Sequence, residues 1–413
     1  MYREELLERF LRYVSISSQS CAKAGVVPSS EGQWTLAKLL ADELNALGLV
    51  DVEISEFAVL TARLPSNLPE GKRVPAVGWC AHMDTVDSGL SPDVHPHVVH
   101  SYAGGDICLN AAENLWMRAQ EHPELAKYIG DDLIVTDGTS VLGADNKSAI
   151  ANIMTALSIV VREGRAHGDI YVAFVPDEEI GLLGAKKLDF SKFPVDFAYT
   201  IDSCELGEIV TETFNAASAE LSIKGVTAHP MSAKGVLVNP TLIAVDFVNA
   251  LDRSETPECT EGTEGFVWVY GIQSNPSEAK VGVKIRDHNL AGFREKKARI
   301  TEIVERLSQE NPRAKLSLKM SDTYGNIADA ITEDNRAAID LLYQVFEQEG
   351  IKPMALAMRG GTDGSFISTQ GVLTPNYFTG AHNFHSHCEF MPMRSFEKSL
   401  AVTLGLIAAV AER

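Results

Sequence analysis

Short apolar runs of strand length alternate with amphipathic helical segments along most of the chain, and this alternation restricts the fold more than any other feature. Val74 to Ala81, Ile170 to Val175 and Phe197 to Ile201 are too short for helices, while Lys147 to Val161 carries its apolar residues at helical spacing. Nearer the N-terminus, Glu4 to Val14 places Leu6, Leu7, Phe10, Leu11 and Val14 on one face. Thr35 to Leu47 repeats that pattern until Gly48 stops it. Strands joined through helices pair in parallel, so the pattern predicts an α/β domain with a mostly parallel sheet.

The pattern changes once. From about Ser218 the order is strand (219–224), helix (237–251), two strands (265–272 and 279–286), helix (290–309) and strand (314–320). That β-α-β-β-α-β order is the ferredoxin-like split unit, a self-sufficient α+β domain. After Asp322 the α/β pattern returns, with a helix at 335–348, an apolar strand near 351–357 and a last helix from about Ser395. The expectation is one domain made of 1–212 plus 323–413, with 213–322 inserted into it. A chain of 413 residues exceeds the roughly 100–200 residues of a usual domain, as two units require.

Charge excludes some partners. With 36 Lys and Arg against 56 Asp and Glu the net charge is −20, a field that repels nucleic-acid backbones and anionic lipid surfaces, so neither is expected as a partner. The longest mostly apolar stretch, Leu400 to Ala411, is shorter than the roughly 18–20 residues a spanning helix needs. Residues 1–10 mix Arg3 and Arg9 with Glu4, Glu5 and Glu8 and lack the apolar run of a signal peptide. The six cysteines (Cys21, Cys80, Cys108, Cys204, Cys259 and Cys388) form no C-x-x-C pair and suit a reducing compartment. The expected location is the cytoplasm.

Ligands of open α/β sheets bind beyond the carboxyl ends of the strands, and these ends carry the chemistry here. The first run ends Cys80-Ala81-His82-Met83-Asp84, where the period of two puts His82 and Asp84 on one side. The second ends Val175-Pro176-Asp177-Glu178-Glu179, whose adjacent carboxylates must point in different directions. The third ends Thr200-Ile201-Asp202. Asp145, in Leu142-Gly143-Ala144-Asp145-Asn146-Lys147, sits at the mouth of the helix read from Lys147, and Asn383 to Glu389 adds a second imidazole source in His385. A lone H-x-D or Glu-Glu pair is usually only a hydrogen-bonded or solvated group. Five separate N and O donors at strand ends and loops are another matter: they suit zinc or a similar divalent ion, and they suffice for two.

The segments A-H-M-D-T, L-G-A-D-N-K, P-D-E-E-I-G, Y-T-I-D-S and F-H-S-H-C-E resemble, in order and spacing, those of the co-catalytic two-zinc metallopeptidases. Within that group the chain is most similar to the peptidase T family, through P-S-S-E-G-Q-W, G-G-D-I, F-N-A-A-S, H-P-M-S-A-K-G-V, E-G-T-E-G-F, I-R-D and R-G-G-T-D-G. The resemblance covers nearly the whole chain. It implies a zinc-hydrolase catalytic domain with an inserted lid and dimerisation domain, two zinc ions per chain, and release of the N-terminal residue from tripeptides. It further implies that His82 and Asp202 complete one zinc site and Glu179 and His385 the other, with Asp145 bridging. Glu178 would be the general base, and Asp84 the catalytic residue that orients His82. His229, Arg286 and Arg359 match positions that reach the short peptide substrate, and pairing through the inserted domain implies a homodimer.

A related carboxypeptidase or N-acyl amino acid deacylase would use the same groups on a differently shaped substrate. An inactive metal-binding scaffold would have no use for Glu178, which is present. Asn146, Ser203-Cys204 and Ala381-His382 depart from the usual family pattern and bear on substrate preference more than on the reaction.

Overall fold

The computed structural model describes residues 2–413 as two compact units. One runs to Thr211 and resumes at Ala330–Leu356 and Thr362–Arg413; the other comprises Glu212–Asp329 with Ala357–Gly361.

The first unit is built on an eight-stranded sheet. Across it the strands are Val50–Ile54, Leu60–Leu64, Ile170–Val175, Val77–His82, Phe197–Ser203, Asn376–Phe378, Glu208–Thr213 and Met354–Met358. The expected parallel pairing holds at its centre, where Val77–His82 lies between Ile170–Val175 and Phe197–Ser203, and where Asn376–Phe378 extends the parallel block. The first two strands and Glu208–Thr213 pair antiparallel. Val77–His82 is buried at every position, as a strand covered on both faces must be.

Helix Ala144–Glu163 is buried from Ala144 to Val160, consistent with its Ala, Ile and Met content and the absence of charge between Ser148 and Val160. Trp79, Tyr199 and Tyr377 fill the sheet interior. Their polar tips are satisfied: Trp79 Nε1 donates to the Tyr377 hydroxyl at 3.2 Å, and the Tyr377 and Thr403 hydroxyls lie 2.6 Å apart. All six cysteines are free, and no helix among the described residues is long and apolar enough to cross a membrane.

The second unit has the expected β-α-β-β-α-β order. Its antiparallel sheet runs Phe266–Ser274, Glu278–Asp287, Asn215–Lys224, Lys315–Tyr324. Helices Pro240–Asn249 and Leu290–Glu310 cover one face, enclosing Leu221, Ile223, Phe247, Val281, Val283 and Phe293. Both helices start where the sequence provides a cap. Asn239 accepts the N–H of Thr241 at 3.0 Å ahead of Pro240, and Asn289 accepts those of Ala291 and Gly292 at 2.9 and 3.0 Å. The edge strand Phe266–Ser274 keeps Trp268, Tyr270 and Ile272 exposed, with the Lys284 ammonium over both aromatic rings at 5.5 and 5.7 Å.

Candidate metal centre and active site

The parallel register decides which side chains meet. His82 is paired with Val175, and Cys80 with Ala173 on one side and Thr200 on the other. Three strands therefore end together, and Asp84, Glu178 and Glu179 just beyond two of them and Asp202 at the end of the third converge on His82. Helix Ala144–Glu163 brings Asp145 to the same point through Gly143, which takes a left-handed φ of 73° that a residue with a Cβ rarely adopts. The Asp145–Asn146 peptide is cis. His385, itself at φ 64°, arrives on the loop that precedes the last helix.

Asp145 stands between two imidazoles. Its Oδ1 is 2.9 Å from His82 Nε2, and its Oδ2 is 3.1 Å from His385 Nε2. His385 Nε2 is also 3.0 Å from Glu179 Oε1, and Asp202 Oδ1 is 3.9 Å from His82 Nε2. Ligand atoms of His82, Asp145 and Glu179 lie within 4.8 Å of one another. His82 Nδ1 lies 3.0 Å from the backbone carbonyl of Asp84, a pure acceptor, so Nδ1 carries the proton and Nε2 is left as the lone-pair donor.

The carboxylate of Asp84 does something the sequence did not suggest. It lies 3.4 Å from His82 Nδ1, but its hydrogen bonds come from the backbone N–H groups of Glu178 at 2.9 Å and Glu179 at 3.2 Å. Asp84 thus fixes the turn on which both glutamates stand. Asp177, at φ 56°, anchors the same turn from below: it accepts the Ser29 hydroxyl at 2.5 Å and Gln33 Nε2 at 2.7 Å, and its own N–H donates to Gln33 Oε1 at 2.9 Å.

Charge crowding governs the electrostatics. Removal from water and the neighbouring carboxylates Asp202 and Glu179 raise the pKa of Glu178, against the pull of His82. Burial and Asp145 push Glu179 up to about 7. Burial disfavours a charged His385, but its contacts with Asp145 and Glu179 outweigh that and carry it to about 11. Asp145 moves the other way: burial opposes its charge, yet the two imidazoles hold it below the usual carboxylate range.

Two further carboxyl groups escaped the strand-end argument. Asp363, in R-G-G-T-D-G, is buried at the start of the short helix Asp363–Thr369; burial raises it to about 7, within the field of His82, Asp84 and Glu179. Glu389, the last residue of F-H-S-H-C-E, is 1% exposed and accepts the backbone N–H groups of Gly143 and Asp145. Its place in a motif already singled out was the available signal. Two imidazoles amid Asp84, Asp145, Glu178, Glu179, Asp202 and Asp363 form an excess of acceptors and negative charge, the donor chemistry of a divalent metal centre.

The other expected site residues belong to the second unit. His229 is exposed on the turn Pro230–Ser232, where its Nδ1 accepts the N–H of Met231 at 3.2 Å. Arg286 lies over the Tyr324 ring at 5.5 Å and donates to the carbonyls of Ala217 and Ile285 at 3.1 and 2.9 Å. Arg359 is packed between Phe214 and Phe266, and its Nη groups bind Thr260 Oγ1 at 2.7 Å and the carbonyls of Gly262 and Glu264 at 3.1 and 2.9 Å.

Residues 143–409, which include the helix of Asp145 and the loop of His385, match peptidase family M20/M25/M40. The chain belongs to this family. A peptidase T-like protein of Yersinia pestis is 53% identical over 99% of this chain and 98% of its own length. The peptidase T of Geobacillus kaustophilus is 41% identical over 98% of each. The fold matches that of a tripeptidase from Staphylococcus aureus with a TM-score of 0.77 at 23% identity, covering 100% of this chain and 99% of that one. As an M20 peptidase of the peptidase T kind the chain is a hydrolase of peptide bonds, and the metal dependence of the family accords with the cluster around Asp145.

Proposed function

We propose that this M20 peptidase is a cytoplasmic di-zinc aminopeptidase that releases the N-terminal residue from tripeptides. The observation that carries the proposal is the placement of Asp145 between His82 and His385, one oxygen toward each ring. His82 and Asp202 would hold one zinc ion, Glu179 and His385 the other, and Asp145 both. Bound there, the ions would supply Lewis acidity, polarising the scissile carbonyl and lowering the pKa of water toward neutrality. Glu178, standing beside the ligand Glu179 on the turn that Asp84 holds, would take the proton of that water and return it to the leaving amine. Asp84 keeps Glu178 and Glu179 facing their separate tasks.

His229, Arg286 and Arg359 are the proposed substrate-binding residues, the two guanidinium groups being suited to the peptide carboxylate. For Arg359 this means exchanging its partners on the 260–264 loop for the substrate. The free edge at Phe266–Ser274, with its exposed Trp268, Tyr270 and Ile272, supports a homodimer through the second unit. The net charge of −20 argues against a nucleic-acid partner.

Tripeptides with free and acetylated N-termini, incubated with the enzyme and analysed by mass, test the substrate. Loss of the N-terminal residue from the free form is expected; release of the C-terminal residue, or preference for the acetylated form, would overturn the aminopeptidase assignment. Glu178→Gln should abolish turnover while the protein retains about two zinc ions per chain, the number a two-metal site demands.

A further inference from the structure

We infer that Glu389 is a positioning residue that sets the spacing between Asp145 and His385, the two proposed ligands brought together from opposite ends of the catalytic unit. The inference rests on the two-zinc site proposed above.

The geometry has two halves. At one end, Glu389 Oε2 accepts the N–H of Gly143 at 2.9 Å and Oε1 accepts the N–H of Asp145 at 3.1 Å. These amides lie where the chain enters helix Ala144–Glu163, so no preceding turn of helix supplies their acceptors. At the other end, the backbone of Glu389 closes the loop that carries His385. Its N–H donates to the Ser386 carbonyl at 3.1 Å, and the flanking residues form an antiparallel bridge, His382 N–H to Phe390 O at 2.9 Å and Phe390 N–H to His382 O at 3.2 Å. Asn383, at φ 59°, braces that loop by donating to Glu124 Oε1 at 2.8 Å and the Cys388 carbonyl at 3.2 Å.

One carboxylate therefore ties the backbone of Asp145 to the base of the His385 loop. The dimension it controls is the one a shared metal centre depends on, the 3.1 Å approach of Asp145 Oδ2 to His385 Nε2. A neutral cap such as Asn289 holds two amides through a single oxygen; in Glu389 a separate oxygen reaches each amide, which fixes direction as well as distance. Groups that orient metal ligands typically change metal affinity or activity by about 10–100-fold when replaced.

Glu389→Gln keeps the shape but sets an NH2 against one of the two amides, and Glu389→Asp is one methylene too short to reach both. The full-length enzyme and both variants would be compared for zinc affinity, by competition with a chromogenic chelator, and for kcat and KM at saturating zinc. Zinc affinity in Glu389→Gln is expected to fall about 10–100-fold. Its kcat is expected to fall with KM within a few-fold, and Glu389→Asp to recover part of both. A simple helix cap would lower the melting temperature and leave zinc affinity and kcat at wild-type values, and that result in either variant overturns the inference; the Asp variant decides it should the Gln variant not fold. Wild-type protein that takes up no zinc would sink the metal site itself. Wild-type protein with two zinc ions beside an unaltered Glu389→Gln would sink this inference alone.

Discussion

Asp84 Oδ1 accepts the backbone N–H of Glu178 at 2.9 Å, so the carboxylate next to the first imidazole also holds the backbone of the proposed base. Asp84→Asn retains one acceptor oxygen and loses the other. We expect kcat to fall about 10–100-fold, the usual cost of losing a group that orients a metal site, with KM within a few-fold and zinc content unchanged. Steady-state kinetics on zinc-replete protein would check this. An unchanged kcat would remove Asp84 from the machinery.

Removing metal should destabilise the first unit. Each zinc ion at a hundredfold excess over its Kd adds about 2.7 kcal/mol to stability, and without it the carboxylates around Asp145 face one another unshielded. Dialysis against a chelator is expected to lower the melting temperature by several degrees, and added zinc to restore it. A melting temperature indifferent to chelator and zinc would contradict a metal centre at this cluster.

Phe247 lies fully buried in the core of the second unit, among residues of that unit alone. Phe247→Ala is expected to cost about 3–5 kcal/mol through lost burial and the cavity left behind. Urea unfolding would measure the loss, and zinc content should stay at the wild-type level because no proposed ligand belongs to that core.

His382 is stacked on Phe390 at 5.0 Å with its Nε2 2.6 Å from the Tyr128 hydroxyl. Burial depresses its pKa below the ordinary 6.5, and the charges of Glu205 and Glu124 do not reverse this. The unfolded chain then takes up the proton at higher pH than the folded one. The stability this contributes is present in full above about pH 6.5 and is lost as pH falls through the lower folded value. Melting temperatures between pH 7.5 and 5 should fall more steeply for the wild type than for His382→Gln. Equal slopes would exonerate His382.

Much of this was legible because it depends on local periodicity. The run ending at His82, the helix behind Asp145 and each element of the second unit's β-α-β-β-α-β order are visible within some 20 residues of sequence, and the convergence of strand ends follows once those strands pair in parallel. What was not legible depends on backbone geometry or distant pairing. The helix read as starting at Lys147 begins at Ala144, because Asp145 and Asn146 have non-helical dihedrals that no pattern of apolar residues reports. Asp84 was read as serving His82, and it does lie beside that ring, but the amides its carboxylate also binds are 94 and 95 residues away. Glu389 looked like the tail of a histidine motif, and its partners are amides more than 240 residues upstream. The commitment of Arg359 to the 260–264 loop likewise joins segments with no shared period.

The donors around Asp145 are spread from His82 to His385, with the whole second unit made in between. Chains emerge from the ribosome N-terminal end first and fold by domains as they do. The strands Val77–His82, Ile170–Val175 and Phe197–Ser203 are therefore synthesised long before the loop that faces Asp145 with its second imidazole. Under the proposed assignment, a nascent chain that has not passed the second unit lacks that imidazole and the carboxylate that seats it, so the capacity to cut peptides would arrive only after the second unit has been made.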